Sequence, residues 1–366
     1  GGVTGSLGYP TGAPVCSSAA DCVQQFERGE VRWNSVTGAH AFTNALIESA
    51  YDALGAASGY LGRPTSSAAC AASGCSQLFQ GGALHARAGA TAAYAVDGAI
   101  QARLDAQGGV TGALGYPTSA PVCSSRTDCI QQFEKGEIRW NAAAGAHAFT
   151  SAAIESAYDA LRGSAGYLGR PTGSTTCVAS GCSQTFAGGA LHVRAGDATA
   201  YAVDGAVRAR YEATGSVTGP LGYPTANPVC AAGGCTQRFQ AGQILWSAGT
   251  GAAAMLDGAV ATEYARLGGT ASYLGWPTGD TVCGLTGGGC KQQFARGAIY
   301  WPGTGGAYAL DGAILAKWLA NGAEAGALGY PSSSATKAGT NPDLYKQLFQ
   351  RGSITWTAAS GAVVGG

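Results

Sequence analysis

Leu-Gly-x-Pro occurs seven times in this chain, as Leu7-Gly8-Tyr9-Pro10, Leu61-Gly62-Arg63-Pro64, Leu114-Gly115-Tyr116-Pro117, Leu168-Gly169-Arg170-Pro171, Leu221-Gly222-Tyr223-Pro224, Leu274-Gly275-Trp276-Pro277 and Leu328-Gly329-Tyr330-Pro331. Successive prolines lie 53 or 54 residues apart, and self-similarity at such a period marks a tandem-module architecture. A unit this short cannot bury an adequate core alone, so neighbouring modules have to stack. The expectation is one repeat domain over residues 1–366, made of seven copies.

Each interval between signatures carries the same internal order. Asn44, Asp97, Ser151, Asp204, Asp257 and Asp311 stand at a constant distance before the next signature leucine. Residues of this kind cap helix N-termini, because a short side-chain oxygen accepts from the free amides of the first turn. Apolar residues follow at helical spacing, as in Asp97 with Ile100 and Leu104, or Asp311 with Ile314 and Trp318. The pattern predicts a short amphipathic helix closed by glycine, then the signature turn, whose glycine permits a sharp bend and whose proline fixes the exit.

Past the turn, two cysteines are tied to different landmarks. Cys16, Cys70, Cys123, Cys177, Cys230 and Cys283 keep a fixed distance from the signature leucine, and Cys22, Cys75, Cys129, Cys182, Cys235 and Cys290 keep a fixed distance from a repeated phenylalanine. All variation in length falls between them, as in a loop tied at its base, and the spacing predicts six disulfides. Zinc is the competing reading, since close cysteine pairs can supply half a site. It would require pairs from different modules, because the four histidines are not placed to complete a set. The seventh copy has Lys337 and Tyr345 at these positions.

A strand signal comes next: Phe26, Gly29, Val31 and Trp33, repeated as Phe133, Gly136, Ile138, Trp140 and in later copies through Trp246, Trp301 and Trp356. Alternation around a glycine turn predicts a β-hairpin with the tryptophans on its buried face. Ala86 and Val193 replace tryptophan in the second and fourth copies. The fold class expected is therefore an α+β tandem repeat of seven helix–turn–β-hairpin modules, arranged as a propeller-like ring or alternatively an open arc.

Composition narrows the function. Charged residues make up 11%, with 21 basic against 21 acidic, so no basic surplus or stripe exists for a nucleic acid. No apolar run is long enough for membrane insertion. Apolar content of 46% is too high for a disordered linker despite 60 glycines. Six disulfides would place the protein in an oxidising compartment, secreted or on the cell surface. The chain opens at Gly1 inside a repeat, as expected if an upstream segment such as an export signal has been removed.

The signature turn, the Gln-x-Phe…Gly-x-Ile-x-Trp hairpin and the Asp-Gly-Ala-Ile helix start resemble the LGFP-repeat family of exported actinobacterial proteins. The likeness runs over nearly the whole chain, although the family's signature phenylalanine is Tyr, Arg or Trp here and the cysteine pairs are an addition. The resemblance implies a non-catalytic module of the cell envelope, one that holds enzymes on wall polysaccharide.

No asymmetric constellation for catalysis is visible. His40 pairs with His147 and His85 with His192 as equivalent repeat positions, and the carboxylates read as helix caps or as hairpin residues Glu27, Glu30, Glu134 and Glu137. No cofactor or metal is expected. Sugar recognition needs flat apolar faces and planar polar side chains. The candidate ligand-binding residues are accordingly the variable signature positions Tyr9, Arg63, Tyr116, Arg170, Tyr223, Trp276 and Tyr330, with the recurrent glutamines Gln24, Gln77, Gln131, Gln184, Gln237, Gln292 and Gln347. Those glutamines could equally satisfy backbone groups at module junctions. Two functions follow: a multivalent lectin-like module partnered by cell-envelope polysaccharide, or a targeting adaptor partnered by a protein in a larger secreted complex.

Overall fold

A computed structural model describes residues 2–338 and 344–365 of the chain. The first module contains β1 (Val15–Ser18), β2 (Asp21–Phe26), β3 (Gly29–Asn34) and β4 (Gly38–Phe42), paired antiparallel in sequence order, followed by helix α1 (Ala45–Ala53). The pattern recurs with helices α2 (Gly98–Ala106), α3 (Ala152–Ala160), α4 (Gly205–Ala213), α5 (Ala259–Arg266) and α6 (Gly312–Ala320). The chain divides into two compact units, one ending at Ala187 and one beginning at Gly188, within the fourth module.

The module is thus a helix plus a four-stranded antiparallel sheet, where the sequence predicted only the central hairpin. The outer strands escaped because they carry no alternation. Val15–Ser18 is exposed along its whole length, and Gly38–Phe42 is a Gly-Ala-His-Ala-Phe stretch without β-branched residues.

Each sheet after the first is covered by the helix before it. Ile100 and Leu104 of α2, with Val96, pack on Leu114, Phe133 and Ile138 of the third module. The same arrangement joins α5 to Leu274, Phe294 and Ile299, and α6 to Leu328, Phe349 and Ile354. Polar bonds tie each helix to the signature turn that follows it. Tyr51, Tyr158, Tyr211 and Tyr264 each donate their hydroxyl, and Trp318 its indole N–H, to the carbonyl of the next signature glycine at 2.7–2.9 Å.

That glycine is required in its place. Gly115 has φ +75°, and a Cβ there would lie 2.4 Å from the Glu134 carboxylate, which accepts from the Tyr116 amide at 2.9 Å. Glu27, Gln80, Gln240 and Gln350 close the corresponding loops in the same way. Glu27 and Glu134 are therefore loop braces.

The recurrent glutamines clamp modules together. Gln131 donates to Ser119 O at 3.0 Å in its own module and to Ala95 O at 2.9 Å on the last strand of the module before. Gln237 does the same with Ala226 and Ala202, and Gln347 with Ser333 and Ala309. Their acceptor ends differ. Thr175 donates to Gln184 Oε1 at 2.6 Å while accepting from the Thr150 amide, and Thr281 serves Gln292 likewise. Gln77 Oε1 is buried without such a partner, and Ala68 stands where Thr175 stands, its amide donating to Ala41 O just as that of Thr175 donates to Ala148 O. Ala68→Thr is expected to stabilise the fold by about 1 kcal/mol, read as a raised urea midpoint at unchanged slope. A lowered midpoint would show that the hydroxyl does not reach the amide.

Trp140, Trp246, Trp301 and Trp356 lie on the expected face and pack against the core, but less deeply than expected. Trp33 is 38% exposed, and Trp140, Trp246, Trp301 and Trp356 are half-buried. The first four stand opposite the second cysteine in register, as Cys22↔Trp33 and Cys129↔Trp140, and Trp356 stands opposite Tyr345. The position lies at the margin of the core, beside the start of the covering helix, so alternation gives its face but not its depth. All twelve cysteines are paired, Cys16–Cys22 through Cys283–Cys290. In the seventh module Tyr345 takes the second cysteine's place and packs on Trp356 with ring centroids 5.9 Å apart.

Candidate binding pockets at the even module junctions

Odd and even modules differ by one residue of register. In the first module Phe42 lies opposite Glu30, and the chain has room for Asn44 to turn inward. Its side chain accepts from the Leu46 and Ile47 amides at 3.1 Å; Ser151 caps the third helix through the Ile154 amide. In the second module the last strand runs one residue further, placing Asp97 opposite Gly82, and Gly98 enters the helix directly at φ +44°. Asp204 and Asp311 sit the same way, opposite Gly189 and Gly297. As final strand residues, Asp97, Asp204 and Asp311 cap no helix amide. The capping role expected of them is corrected on this geometry. Asp257 is also not a cap: α5 starts after Gly258, and Asp257 pairs with Arg238 at 3.3 Å.

Two of these carboxylates, Asp97 and Asp311, line cavities. In the first unit a pocket of about 710 Å³ is bordered by Tyr60, Asp97, Gly98, Ala99, Trp140, Arg126 and the Cys123–Cys129 disulfide. In the second unit a pocket of about 570 Å³ is bordered by Tyr273, Asp311, Gly312, Ala313, Trp356, Arg296 and Tyr345. The two are built alike: a tyrosine immediately before an even signature, the aspartate of that module and the tryptophan of the next. Tyr60 and Tyr273 are 53% and 48% exposed. The sequence carries the triplet once more as Tyr167, Asp204 and Trp246.

Burial raises the pKa of the Asp97 and Asp311 carboxyls, and neither is ion-paired within the described residues. Tyr60 is likewise raised, by burial and then the Asp97 charge; Tyr273 is pushed up to about 12 by burial and Asp311. A partly desolvated carboxylate with no cation paired to it is relieved by donors from a ligand. A half-buried indole beside it offers the flat apolar face that a sugar ring can cover.

The residues proposed from sequence lie elsewhere. The signature side chains reach back to the disulfide loop of the preceding module: Arg63 to Asp21 at 2.5 Å, Arg170 to Asp128 at 2.6 Å, Tyr116 to Ser73 at 3.2 Å and Tyr330 to Thr286 O at 2.7 Å. Trp276 packs on Gly233 and Gly234. Tyr223 is buried and Tyr9 is 57% exposed. Gln77, Gln131, Gln184, Gln237, Gln292 and Gln347 are buried, with Gln24 half-buried and donating to Gly12 O at 2.7 Å. None of these glutamines borders either pocket. Sequence reasoning missed Tyr60, Asp97, Tyr273 and Asp311, although the tyrosine before alternate signatures was there to be found.

The histidines belong to the interior. His85 contacts Ser76 Oγ at 2.8 Å and Gln101 Oε1 at 3.1 Å, and burial lowers its pKa. That of His192 falls to about 4 through burial, with the Arg208 charge second. His40 and His147 bond hairpin carbonyls Thr37 O and Ala144 O at 2.7 and 2.8 Å. Among the described residues no group of three His, Cys, Asp or Glu side chains is placed to hold a metal ion.

A comparison with curated proteins gives no match. Among solved structures, the chain aligns over 96% of its length with the extracellular domain of a hybrid two component system from B. thetaiotaomicron, at 7% identity, TM-score 0.15 and 39% of that chain. It aligns over 97% with PorZ, a surface component of the type-IX secretion system of Porphyromonas gingivalis, at 8% identity, TM-score 0.15 and 46% of that chain. With apo AztD from Citrobacter koseri the figures are 94%, 9%, 0.14 and 78%. The chain thus spans less than half the length of the first two. The model of the LGFP repeat matches residues 7–59, 61–112, 114–166, 168–219, 221–272 and 274–326, and by these six matches the chain belongs to the LGFP repeat family.

Proposed function

We propose that the chain is a carbohydrate-binding module that holds actinobacterial cell-envelope polysaccharide in the pockets of its even junctions. Six disulfides favour an extracellular location, no helix of the described residues is long and apolar enough to cross a membrane, and the repeat family is a non-catalytic one. The observation that carries the reading is the recurrence, in both units, of one tyrosine–aspartate–tryptophan pocket whose carboxylate the fold leaves without a cap to make. Several shallow sites on one chain gain avidity on a polymer that presents the same sugar many times.

Ala99 and Ala313 are exposed and line the two pockets, and Ala206 is their sequence equivalent. Ala99→Arg and Ala313→Arg place a long side chain in each pocket without touching the core. Each is expected to weaken retention on purified wall polysaccharide about tenfold, and the double variant to abolish it, with the thermal midpoint held. Undiminished retention by the double variant would remove the sites from the account.

One observation favours the adaptor reading. Val15, Val122, Val229 and Val282, each beside a first cysteine, are exposed on outer strands. A protein partner whose binding is lost on substituting these valines, and which glycan does not displace, would support it.

A further inference from the structure

The pocket at Asp97 does not end at Tyr60. A second cavity of about 350 Å³ shares Tyr60 and Pro121 with it and continues along the outer face of α1, where Leu46, Ala50, Leu54 and Ala93 form its walls. Three successive modules contribute: α1 from the first, the approach to the last strand of the second, and the Ala120–Pro121 loop of the third. Tyr60 stands between the two spaces with half its surface exposed, so its ring is available to both.

We infer that this combined groove takes an internal stretch of a linear oligosaccharide, one sugar in the Asp97 pocket and the following sugars along α1. The inference rests on the proposed reading of the pocket and adds the ligand's form, a chain and not a single terminal sugar. The two parts differ in chemistry in the sense a polysaccharide requires. The Asp97 end offers a carboxylate for hydroxyl donors, which fixes one ring. The α1 end is lined by Leu, Ala and Tyr side chains, which accept the C–H faces of successive rings with little demand on which hydroxyls they carry.

The test uses the full chain bearing Ala313→Arg, so that binding reports the first unit's groove. The probes are disaccharide to hexasaccharide fractions from partial acid hydrolysis of actinobacterial wall polysaccharide, titrated by calorimetry. Affinity is expected to rise about tenfold from the shortest bound fraction to the longest. Ser49→Arg and Ala53→Arg, at exposed α1 positions lining the groove, should remove that gain while leaving the shortest ligand within about twofold. Adding Ala99→Arg should abolish binding at every length. A hexasaccharide that binds no tighter than the disaccharide, or a length gain that survives the α1 substitutions, overturns the groove while sparing the pocket. Failure of every fraction to bind overturns the pocket and the groove with it.

Discussion

Reduction of the six disulfides is expected to unfold the first unit well before the second. Each bridge joins cysteines five to seven residues apart on paired strands, and loops of that size contribute about 2 kcal/mol each by restricting the unfolded chain. Four of the six, from Cys16–Cys22 to Cys177–Cys182, lie before Ala187, and two lie after it. The first unit therefore loses about 8 kcal/mol and the second about 4, against a total stability of about 5–15 kcal/mol for an ordinary domain. The consequence spreads beyond the loops, because Arg63, Tyr116 and Arg170 dock on the bridged loops of the modules before them. A frayed loop unseats the next signature turn. Hydrogen exchange in reductant should show amides before Ala187 losing protection first, with the thermal midpoint of that unit lower by about 20 °C. Equal loss in both units, or protection unchanged, would mean that packing alone holds the modules.

The bridges were legible because their evidence is local: two cysteines fixed to separate landmarks with slack between them. The helix stripe and the central hairpin were legible for the same reason, since both show in the spacing of Ile100 with Leu104 and of Ile138 with Trp140. Contacts between modules are a different matter. Tyr116 and Arg170 vary in identity like exposed residues, yet each is matched to a partner some forty positions earlier, Ser73 or Asp128. Nothing in one module states that match.

Asp97 shows the limit most clearly. Asn44 and Asp97 occupy the same place in the repeat and both suit a helix start. What separates them is one residue of register in the preceding strand, with the positive φ of Gly98 absorbing the difference. Register is a property of the paired sheet. The candidate pocket depends on it, which is why its aspartates read as caps and its tyrosines as unremarkable surface.

Arg139→Leu is expected to cost about 3–5 kcal/mol, because it strands a buried carboxylate. Glu137 is 2% exposed and contacts the Arg139 guanidinium, with Gln132 donating to its other oxygen at 2.6 Å. The guanidinium also bonds Asp159 at 2.7 Å and lies over the Phe149 and Tyr158 rings at 4.9 Å. Asp159 is more than half exposed and water can serve it; Glu137 has no such recourse. The fifth module shows the apolar alternative at the same strand positions, with Gln243 for the glutamate and Leu245, buried against Tyr264 and Val260, for the arginine. The double variant Glu137→Gln, Arg139→Leu copies that pair, and should regain all but about 1 kcal/mol, the value of the lost cation–π stacking. The equivalent cluster of Glu30, Arg32 and Asp52 in the first module gives an independent replicate through Arg32→Leu. Urea midpoints of the singles and doubles decide between two causes. If the doubles fall as far as the singles, the stability comes from the guanidinium stacked on its two rings, and the buried carboxylate is not what makes arginine necessary there.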